Sequence, residues 1–296
     1  MEKIVIAGGS GLIGTGLANH LRKAGHEVWI LSRKPSDAAH FVLNWDPDSG
    51  KIDHSAVAGT NILINLCGAE LAAKRWTKSR INELYSSRID TTNFLFEAFK
   101  NSPTLKQYVS ASGAVAYGFE HPEKIYRESD PFGNDIISDI THKWEKAADQ
   151  FLSVCTASKI RIAVVLSESG GALEKLAKPI KKGFGAVLAS GEQAIPWIYN
   201  EDLSRVFEYI IAHKLEGAYH ASAGNTTNKE LTKLIAKTLN KRLLPPVPAF
   251  VIRILFGKMA MMLLYGNKVS NEKMHSEGFS FLHGNLNSTI QRIFGK

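Results

Sequence analysis

The chain has 296 residues, and its 44% hydrophobic and 22% charged content is typical of a folded protein rather than a disordered one. Its formal charge of +8 comes without a Lys/Arg block, zinc finger or RNA-binding motif, which excludes an obvious nucleic-acid partner and favours an anionic cofactor or substrate. Two cysteines, Cys67 and Cys155, cannot form a disulfide framework, no Cys/His spacing indicates a metal site, and no signal peptide follows Met1, so we expect a cytoplasmic protein.

The first half of the chain alternates between short β-branched runs and helical patterns. Helical spacing joins Ile13, Leu17 and Leu21, with Gly25 at the position of a C-terminal capping glycine. Further helices are predicted over residues 77–100 and 144–155, and strands over residues 3–7, 27–31, 41–45, 61–66, 107–111 and 161–166. This alternation predicts an α/β, Rossmann-type doubly wound parallel sheet with helices on both faces.

The second half of the chain is less regular and predicts a smaller C-terminal substrate lobe. Residues 167–196 are rich in Gly, Lys and Pro, which indicates loops with a short helix. A helix over 202–212, a strand over 218–221 and a helix opened by a Thr227–Glu230 capping box follow. We expect a Rossmann-type domain of residues 1–166 plus about 198–222, and a smaller lobe of about 167–197 plus 223–296.

An apolar stretch after the break at residues 245–248 raises the question of a membrane. Residues 249–266 are interrupted by Arg253 and Lys258, and the stretch is shorter than the roughly 20 residues of a spanning helix. A buried or dimer-forming helix is the favoured interpretation, with attachment to a membrane surface as the alternative. We therefore predict no membrane partner.

Three glycines follow the first predicted strand in a Gly-x-x-Gly-x-x-Gly pattern. Gly8, Gly11 and Gly14 stand between that strand and the first helix, where glycines let the backbone approach a pyrophosphate. The helix that begins near Leu12 offers unpaired N–H groups to the same anion. An ordinary tight turn is the alternative. We predict a dinucleotide site made by Gly8, Ser10, Gly11, Leu12, Ile13 and Gly14.

The end of the second strand selects between the two nicotinamide dinucleotides. An Asp or Glu there would accept hydrogen bonds from the ribose hydroxyls of NAD, but this chain has Ser32-Arg33-Lys34. A guanidinium is a planar fork of donors that suits a phosphate. Arg33 therefore predicts NADP(H), unless it is only a solvated loop charge.

Several longer motifs resemble the extended short-chain dehydrogenases/reductases, and within them the atypical epimerase family proteins of the YfcH and SDR39U type. The tail from residue 246 to 294 resembles the small C-terminal domain of that group, so the resemblance covers nearly the whole chain. The motifs are Asn-Leu-Cys-Gly-Ala (65–69), Arg-Trp-Thr (75–77), Ser-Arg-Ile (87–89), Trp-Glu (144–145) and Trp-Ile-Tyr-Asn-Glu-Asp-Leu (197–203).

The resemblance implies NADP binding and assigns further contacts. Ser32 and Arg33 would hold the adenosine phosphate, and Leu66 and Cys67, followed by Gly68, would line the adenine or ribose side. Two residues of the following helix, Glu83 and Arg88, would also contact the cofactor, unless they form a surface ion pair at a poor helical spacing. The backbone near Val165 would close the nicotinamide side.

The proton-transfer pair of this superfamily, Tyr and Lys four residues apart, is absent from the sequence. None of the eight tyrosines has Lys four positions later, and the expected places hold Ile137 and Thr141. Ser112 matches the substrate-orienting serine of the extended enzymes, and Tyr117 follows it as a displaced acid or base. We take Ser112 and Tyr117 as the catalytic candidates. A polar strand-end residue and a packed aromatic are the alternatives.

Other residues near the expected site carry open alternatives. His142 and Lys143 are further acid/base candidates or else solvated helix charges. A substrate pocket or ordinary core packing would account for Arg75, Trp76, Trp197 and Tyr199.

Two functions follow from these patterns. The first is an epimerase/dehydratase-like oxidoreductase that uses NADP(H) on an unidentified small substrate, which the family name would make nucleotide-linked. The second is a non-catalytic NADP(H)-binding redox sensor or regulatory protein. A homodimer is expected only by analogy with the superfamily.

Overall fold

The computed structural model describes residues 1–33, 41–119, 121 and 123–295. The strands that carry its sheets share short apolar sequences. In chain order they are β1 Lys3–Ala7, β2 Glu27–Ser32, β3 Val42–Asp46, β4 Lys51–Ile52, β5 Ile62–Asn65, β6 Gln107–Gly113, β7 Ile125–Tyr126, β8 Thr156–Ile162, β9 Val164–Leu166, β10 Ala186–Leu188, β11 Ala194–Tyr199, β12 Gly217–Ala221, β13 Gly224–Thr227, β14 Leu244–Val247 and β15 Lys268–Val269.

Helices connect most of these strands. They are α1 Leu12–Lys23, α2 His54–Val57, α3 Lys78–Phe99, α4 Ile136–Ala148, α5 Ala172–Lys181, α6 Asn200–His213, α7 Asn228–Thr238, α8 Ala249–Phe256, α9 Met261–Leu264, α10 Glu272–Ser276 and α11 Leu286–Phe294. Two 3₁₀ turns, Asp149–Ser153 and Gly257–Ala260, extend α4 and join α8 to α9. Gly25 ends α1 with φ +90°, as the sequence predicts.

An eight-stranded sheet forms the centre of the molecule, in the order β12-β8-β6-β5-β1-β2-β3-β4. All of its neighbours are parallel except β3 and β4. β1 lies between β2 and β5, so that Ala7 is in register with Leu31 on one side and Asn65 on the other. The strand order reverses here, and ligands of such sheets bind at this switch point. The Rossmann-type α/β prediction is confirmed.

The two faces of this sheet are covered by different helices because alternate side chains point to opposite faces. Ile4 and Ile6 pack with side chains of α1 and α6, including Leu17 and Phe207. Side chains on the other face, Val5 and Ala7, pack with Phe99 at the end of α3, among others. The glycine loop, which follows Ala7, is therefore anchored by a fully buried strand.

The stretch 161–166 is not one strand, contrary to the sequence prediction. Arg161 in β8 is in register with His220 in the large sheet, whereas Val165 in β9 pairs with Ile198 in a separate sheet of order β13-β11-β9. The chain changes sheet at Ala163. The residues that follow Arg161 in this stretch are all apolar, so hydrophobic periodicity could not locate the change of sheet.

The second sheet and its helices form the lobe side of the molecule. The chain passes between the two sheets after Ile162, between β11 and α6, and after Ala221. The proline-rich break is in fact β14, which pairs with β10 in a two-stranded sheet, a place where proline is tolerated. The capping box of Thr227 and Glu230 at α7 is confirmed. The division into two domains stays a prediction.

No helix in the described ranges combines the length and the apolar character needed to cross a bilayer.

Candidate cofactor and active site

The glycine loop between β1 and α1 is a cradle that only glycine can form. Gly8 has φ +78°, and a Cβ atom there would lie 2.9 Å from the carbonyl carbon of Leu66. A Cβ at Gly14 would lie 2.5 Å from the Cα of Gly9. The N–H of Gly11 donates to the carbonyl of Gly8 at 3.2 Å and closes the turn. Without side chains at these two positions the loop can pack this closely against Leu66 and Gly9, which gives the tight turn that a pyrophosphate-binding loop needs.

Helix α1 starts at this cradle with an N-terminus suited to an anion. Its N-cap, Gly11, provides no side-chain cap, and the first turn carries no acidic residue. Ser10 is exposed, and Leu12 and Ile13 are half-buried, at the start of the helix. The first N–H groups of a helix have no internal partner, so they are free to bind a phosphate, which the helix dipole also favours.

Arg33 stands at the end of β2, exposed, on the same edge of the sheet. Burial raises the pKa of the Cys67 thiol to about 12, and the positive charge of Arg33 opposes that rise. Ser32 is in register with Asn44 of β3. Lys34, the third residue of the motif, lies outside the described residues. Arg33 and Cys67 thus follow β2 and β5, the two strands that flank β1, at the same edge of the sheet.

Residues 66–68 continue this edge after β5. The N–H of Leu66 donates to the carbonyl of Ala7 at 2.9 Å, and the N–H of Cys67 donates to Asn65 Oδ1 at 3.0 Å. The amide of Asn65 is itself buried and donates to Tyr108 and Thr92. Gly68, next in the chain, is exposed. The edge is therefore fixed from below by a buried side-chain amide, which the sequence motif did not reveal.

Arg88 supports the loop instead of reaching into open space. Its guanidinium is buried, donates to the carbonyls of Leu84 and Ala69 at 3.1 Å each, and lies 5.2 Å from the Trp144 ring. Burial lowers the pKa of Arg88 to about 10. A Cβ at Gly68 would lie 3.0 Å from Arg88 Cζ, so the guanidinium lies directly under the loop.

Glu83 lies apart from Arg88 on the same helix. It is exposed and forms an ion pair with Arg80 at 2.7 Å, so the surface pair between Glu83 and Arg88 that the sequence left open is not formed. The pairing with Arg80 lowers the pKa of Glu83. Val165 lies in β9, three residues past Ile162 at the end of β8, and packs against the main core.

Ser112 faces the interior between β6 and α4. Its hydroxyl donates to Glu145 Oε1 at 2.6 Å, and the Glu145 carboxylate also accepts two hydrogen bonds from Arg161, at 2.7 and 2.8 Å. Both charged side chains are nearly inaccessible, at 4% for Arg161 and 6% for Glu145. A bidentate pair satisfies two charges that would be costly to bury alone.

Tyr117 joins the same interior network from the loop after β6. Its hydroxyl accepts from Arg161 Nη1 at 2.6 Å and bonds His220 Nε2 at 2.5 Å, while its ring stacks on Tyr126 at 4.7 Å. Burial raises the pKa of Tyr117 above its ordinary value. The tyrosine is therefore a neutral, fully bonded hydroxyl.

His220 closes the network at the edge strand β12. Its Nδ1 lies 2.9 Å from the carbonyl oxygen of Ser270, and its backbone N–H donates to Glu128 Oε1 at 2.8 Å. Burial lowers the pKa of His220. One neutral tautomer satisfies both ring nitrogens, with Nδ1–H donating to Ser270 and Nε2 accepting from Tyr117.

Sequence analysis missed Glu145, Arg161 and His220 as members of this network. One signal was present in the printed sequence: Arg161 interrupts an apolar strand run as Ile-Arg-Ile, and a buried arginine requires a carboxylate partner. The Trp-Glu motif at 144–145 supplied that carboxylate, but one sequence does not say which charges meet.

The positions of the missing Tyr and Lys lie on α4 against the end of β6. Thr141 is buried, and its hydroxyl donates to the Ile137 carbonyl at 2.8 Å. A Cβ at Gly113 would lie 3.7 Å from Thr141 Oγ1, so this hydroxyl adjoins the strand end. Thr141 stands where the lysine of the missing pair is expected, and the sequence did not show that its hydroxyl adjoins the end of β6.

The remaining candidates have simpler surroundings. His142 and Lys143 are exposed, the first stacked on Phe132 and the second paired with Asp139 at 2.8 Å, as for solvated helix charges. The aromatic candidates Trp76, Trp197 and Tyr199 are all buried in apolar clusters, as expected for core packing.

Arg75 is exposed and donates to the carbonyl of Ile254 in α8 at 3.3 Å. The described residues hold no cluster of His, Cys, Asp or Glu suited to a metal ion.

Comparison with known families decides the relationship. The NAD dependent epimerase/dehydratase family matches residues 4–222, which include the glycine cradle, Arg33 and the buried network. This chain belongs to that family. A domain of unknown function, DUF1731, matches residues 247–293, which contain α8 to α11. The resemblance drawn from the motifs is confirmed.

Similar members of this epimerase/dehydratase family match over almost their full length. The epimerase family protein SDR39U1 of Mus musculus is 31% identical and covers 98% of this chain and 99% of its own. The epimerase family protein Mb2239 of Mycobacterium bovis is 32% identical and covers 97% and 96%. A crystal structure of human SDR39U1 with NADPH is 29% identical, superposes with a TM-score of 0.87 and covers 98% of each chain.

Proposed function

We propose that this epimerase/dehydratase-like protein binds NADP(H) at the carboxyl edge of its large sheet and transfers hydride between the nicotinamide and a small-molecule substrate. One observation carries the proposal: the cradle of Gly8 and Gly14 adjoins an uncapped helix N-terminus, on the same sheet edge as the exposed Arg33. The similarity to a human protein crystallised with NADPH supports it.

Different residues of this edge would bind different parts of the cofactor. Backbone N–H groups of Gly11 to Ile13 would hold the pyrophosphate, and Arg33 would pair with the 2′-phosphate. Cys67 is a half-buried, neutral thiol, so it would contribute packing and not a charge beside the adenosine. The bound nicotinamide would supply or accept the hydride, and the chain must then orient the substrate and handle a proton.

The proton-handling group is the open part of this proposal. Ser112 and Tyr117 stay the sequence-based candidates, yet both hydroxyls are buried and bonded within the network. Thr141 adjoins the strand end, but an alcohol without a basic neighbour is a poor acid or base near neutral pH. The enzyme would rely on the substrate or on a water molecule for the proton.

The lack of an evident proton-handling group favours a second function, that of a non-catalytic NADP(H)-binding redox sensor or regulator. The positions of the classical pair hold Ile137 and Thr141, and the buried network satisfies the other hydroxyls. Binding NADPH and NADP⁺ with different affinity would be sufficient for such a protein.

A titration with NADPH and NADH tests the cofactor assignment. Replacing Arg33 with Ala removes charge-assisted hydrogen bonds, so we expect about a tenfold to hundredfold weaker NADPH affinity. NADH affinity should change little. Arg242→Ala, at another exposed arginine, is the matched control. Equal losses for both dinucleotides, or no loss, would remove Arg33 from the phosphate site.

A turnover assay separates the two functions. NADPH oxidation is followed with carbonyl compounds and sugar nucleotides, for the wild type and for Thr141→Val. Turnover that Thr141→Val slows supports the enzyme and a role for this hydroxyl. Tight NADPH binding without turnover on any substrate supports the sensor.

A further inference from the structure

Helix α8 presents an exposed apolar ridge bordered by cations. Phe250, Ile254 and Leu255 are 63%, 68% and 57% exposed, although folded chains normally bury such side chains. Phe250 and Ile254 are four residues apart and share one face of the helix. On the opposite side Ile252 is buried, so α8 is anchored to the fold and its outer face is preformed.

Three cations border this ridge at defined positions. Arg75 donates to the carbonyl of Ile254 at 3.3 Å, Arg253 contacts the hydroxyl of Tyr265 at 3.4 Å, and Lys258 is exposed in the turn after α8. Within the part of the chain that the structure describes, none of the three forms an ion pair. Tyr265 is 44% exposed, with an apolar ring and a polar tip. We call Phe250, Ile254, Leu255, Arg75, Arg253, Lys258 and Tyr265 the α8 ridge.

The sequence around the ridge carries no negative charge to balance these cations. No Asp or Glu occurs from residue 241 to 271, or from 71 to 78. These segments combine basic residues with aliphatic and aromatic side chains and hold no acidic residue, a composition that complements an anionic surface into which apolar groups can insert.

A second copy of this chain is a poor occupant. In a two-fold symmetric dimer both protomers contribute the same patch, so Arg253 and Lys258 would enter the interface from both sides, and residues 241–271 supply no carboxylate to pair with them. Like charges that are brought together with little solvent between them repel. The ridge therefore lacks the self-complementarity that a homodimer needs.

We infer that the α8 ridge docks on the surface of an anionic phospholipid bilayer. Phe250, Ile254 and Leu255 enter the boundary between headgroups and acyl chains, and Arg75, Arg253 and Lys258 pair with lipid phosphates. The helix of eight residues lies in the plane of the interface.

Vesicle flotation tests the docking. The purified full chain is mixed with vesicles of phosphatidylcholine alone, or with about a third phosphatidylglycerol, in low and high salt. We expect binding to the anionic vesicles only, with a marked loss when the salt rises from about 0.1 M to 1 M.

Two variants assign that binding to the ridge. Phe250→Ser with Ile254→Ser, and separately Arg253→Gln with Lys258→Gln, should each reduce the vesicle-bound fraction by about tenfold. Leu282→Ser is the matched control, because Leu282 is 65% exposed and lies away from α8 in the sequence. Circular dichroism and NADPH titration check that every variant folds.

Three results would overturn the inference. The first is no binding to anionic vesicles by a folded wild type. The second is vesicle binding that both ridge variants retain in full. The third is a stable dimer by light scattering that Phe250→Ser with Ile254→Ser converts to a monomer, since the ridge would then be covered by a second copy.

Discussion

The cofactor edge and the buried network of Ser112, Glu145, Arg161, Tyr117 and His220 are both positioned by the large sheet but are built in opposite ways. The cofactor edge lacks side-chain atoms where a ligand would bind: Gly8 and Gly14 have no Cβ, and no side chain caps the N-terminus of α1. In the network the buried polar groups have hydrogen-bond partners. Arg161, for example, donates to both carboxylate oxygens of Glu145, away from water. A site that must accept a ligand leaves donors unpaired, whereas a buried scaffold leaves none.

Breaking the network should give the largest loss of stability. Glu145→Gln keeps the shape but leaves Arg161 as an uncompensated buried charge, so we expect about 3–5 kcal/mol less free energy of unfolding in urea. Replacing both partners, as Glu145→Leu with Arg161→Met, should recover most of that loss. A single variant of wild-type stability would mean that water reaches Arg161.

Filling the cradle should give the next largest effect, on binding rather than on stability. Gly14→Ala places a methyl group 2.5 Å from the Gly9 Cα, so the loop must move and NADPH affinity should fall by about a hundredfold or more. Gly284→Ala, where a Cβ meets no atom within 4 Å, is the control, and affinity is measured by nicotinamide fluorescence. Unchanged NADPH affinity would place the cofactor elsewhere.

Acid should weaken the network through His220. Its pKa is lowered in the folded chain, so below about pH 6.5 the unfolded chain binds a proton that the native chain excludes. The stabilisation is complete above that pH and is lost as pH falls, by at most about 1.4 kcal/mol per pH unit. The neighbours that set this response are Arg161, Glu145, Glu128 and Tyr117. Urea unfolding of wild type and His220→Gln from about pH 7.5 to 5.5 should show a smaller pH slope in the variant.

An exposed ion pair gives the smallest expected change and calibrates the others. Lys143→Ala removes the pair with Asp139, both about half exposed, and should cost at most about 0.5 kcal/mol. Thermal unfolding measures this change. A loss comparable to that of Glu145→Gln would mean that burial does not explain the difference between the two pairs.

The sequence predicted the fold and the cofactor edge better than the network. Strand β1 and Gly25 follow from periodicity and turn chemistry, because these are local rules. The glycine spacing likewise locates the cradle from a few adjacent residues. The Rossmann-type fold and the family are confirmed, and the individual cofactor contacts stay predictions.

The network could not be derived because its members are far apart in the chain. Ser112 and Glu145 are separated by 33 residues, and Tyr117 and His220 by 103. Ser112 was predicted from its resemblance to the substrate-orienting serine of the extended enzymes, but which face of β6 it uses depends on register, which places it against α4. Arg88 was predicted to contact the cofactor, and this contact stays a prediction; a sequence does not show that its guanidinium also donates to two carbonyls.

The three passages of the chain between its two sheets have a mechanical consequence. A lobe that is joined to its neighbour by one linker can move freely. This lobe is connected at three places, after Ile162, before Asn200 and after Ala221, so its motion relative to the large sheet is restricted. One of these connections, Ala163, joins β8 to β9 and lies two residues before Val165. A shift of the lobe therefore displaces the backbone beside the expected nicotinamide, and a fragment cut at residue 166 would leave β9 without its partner β11.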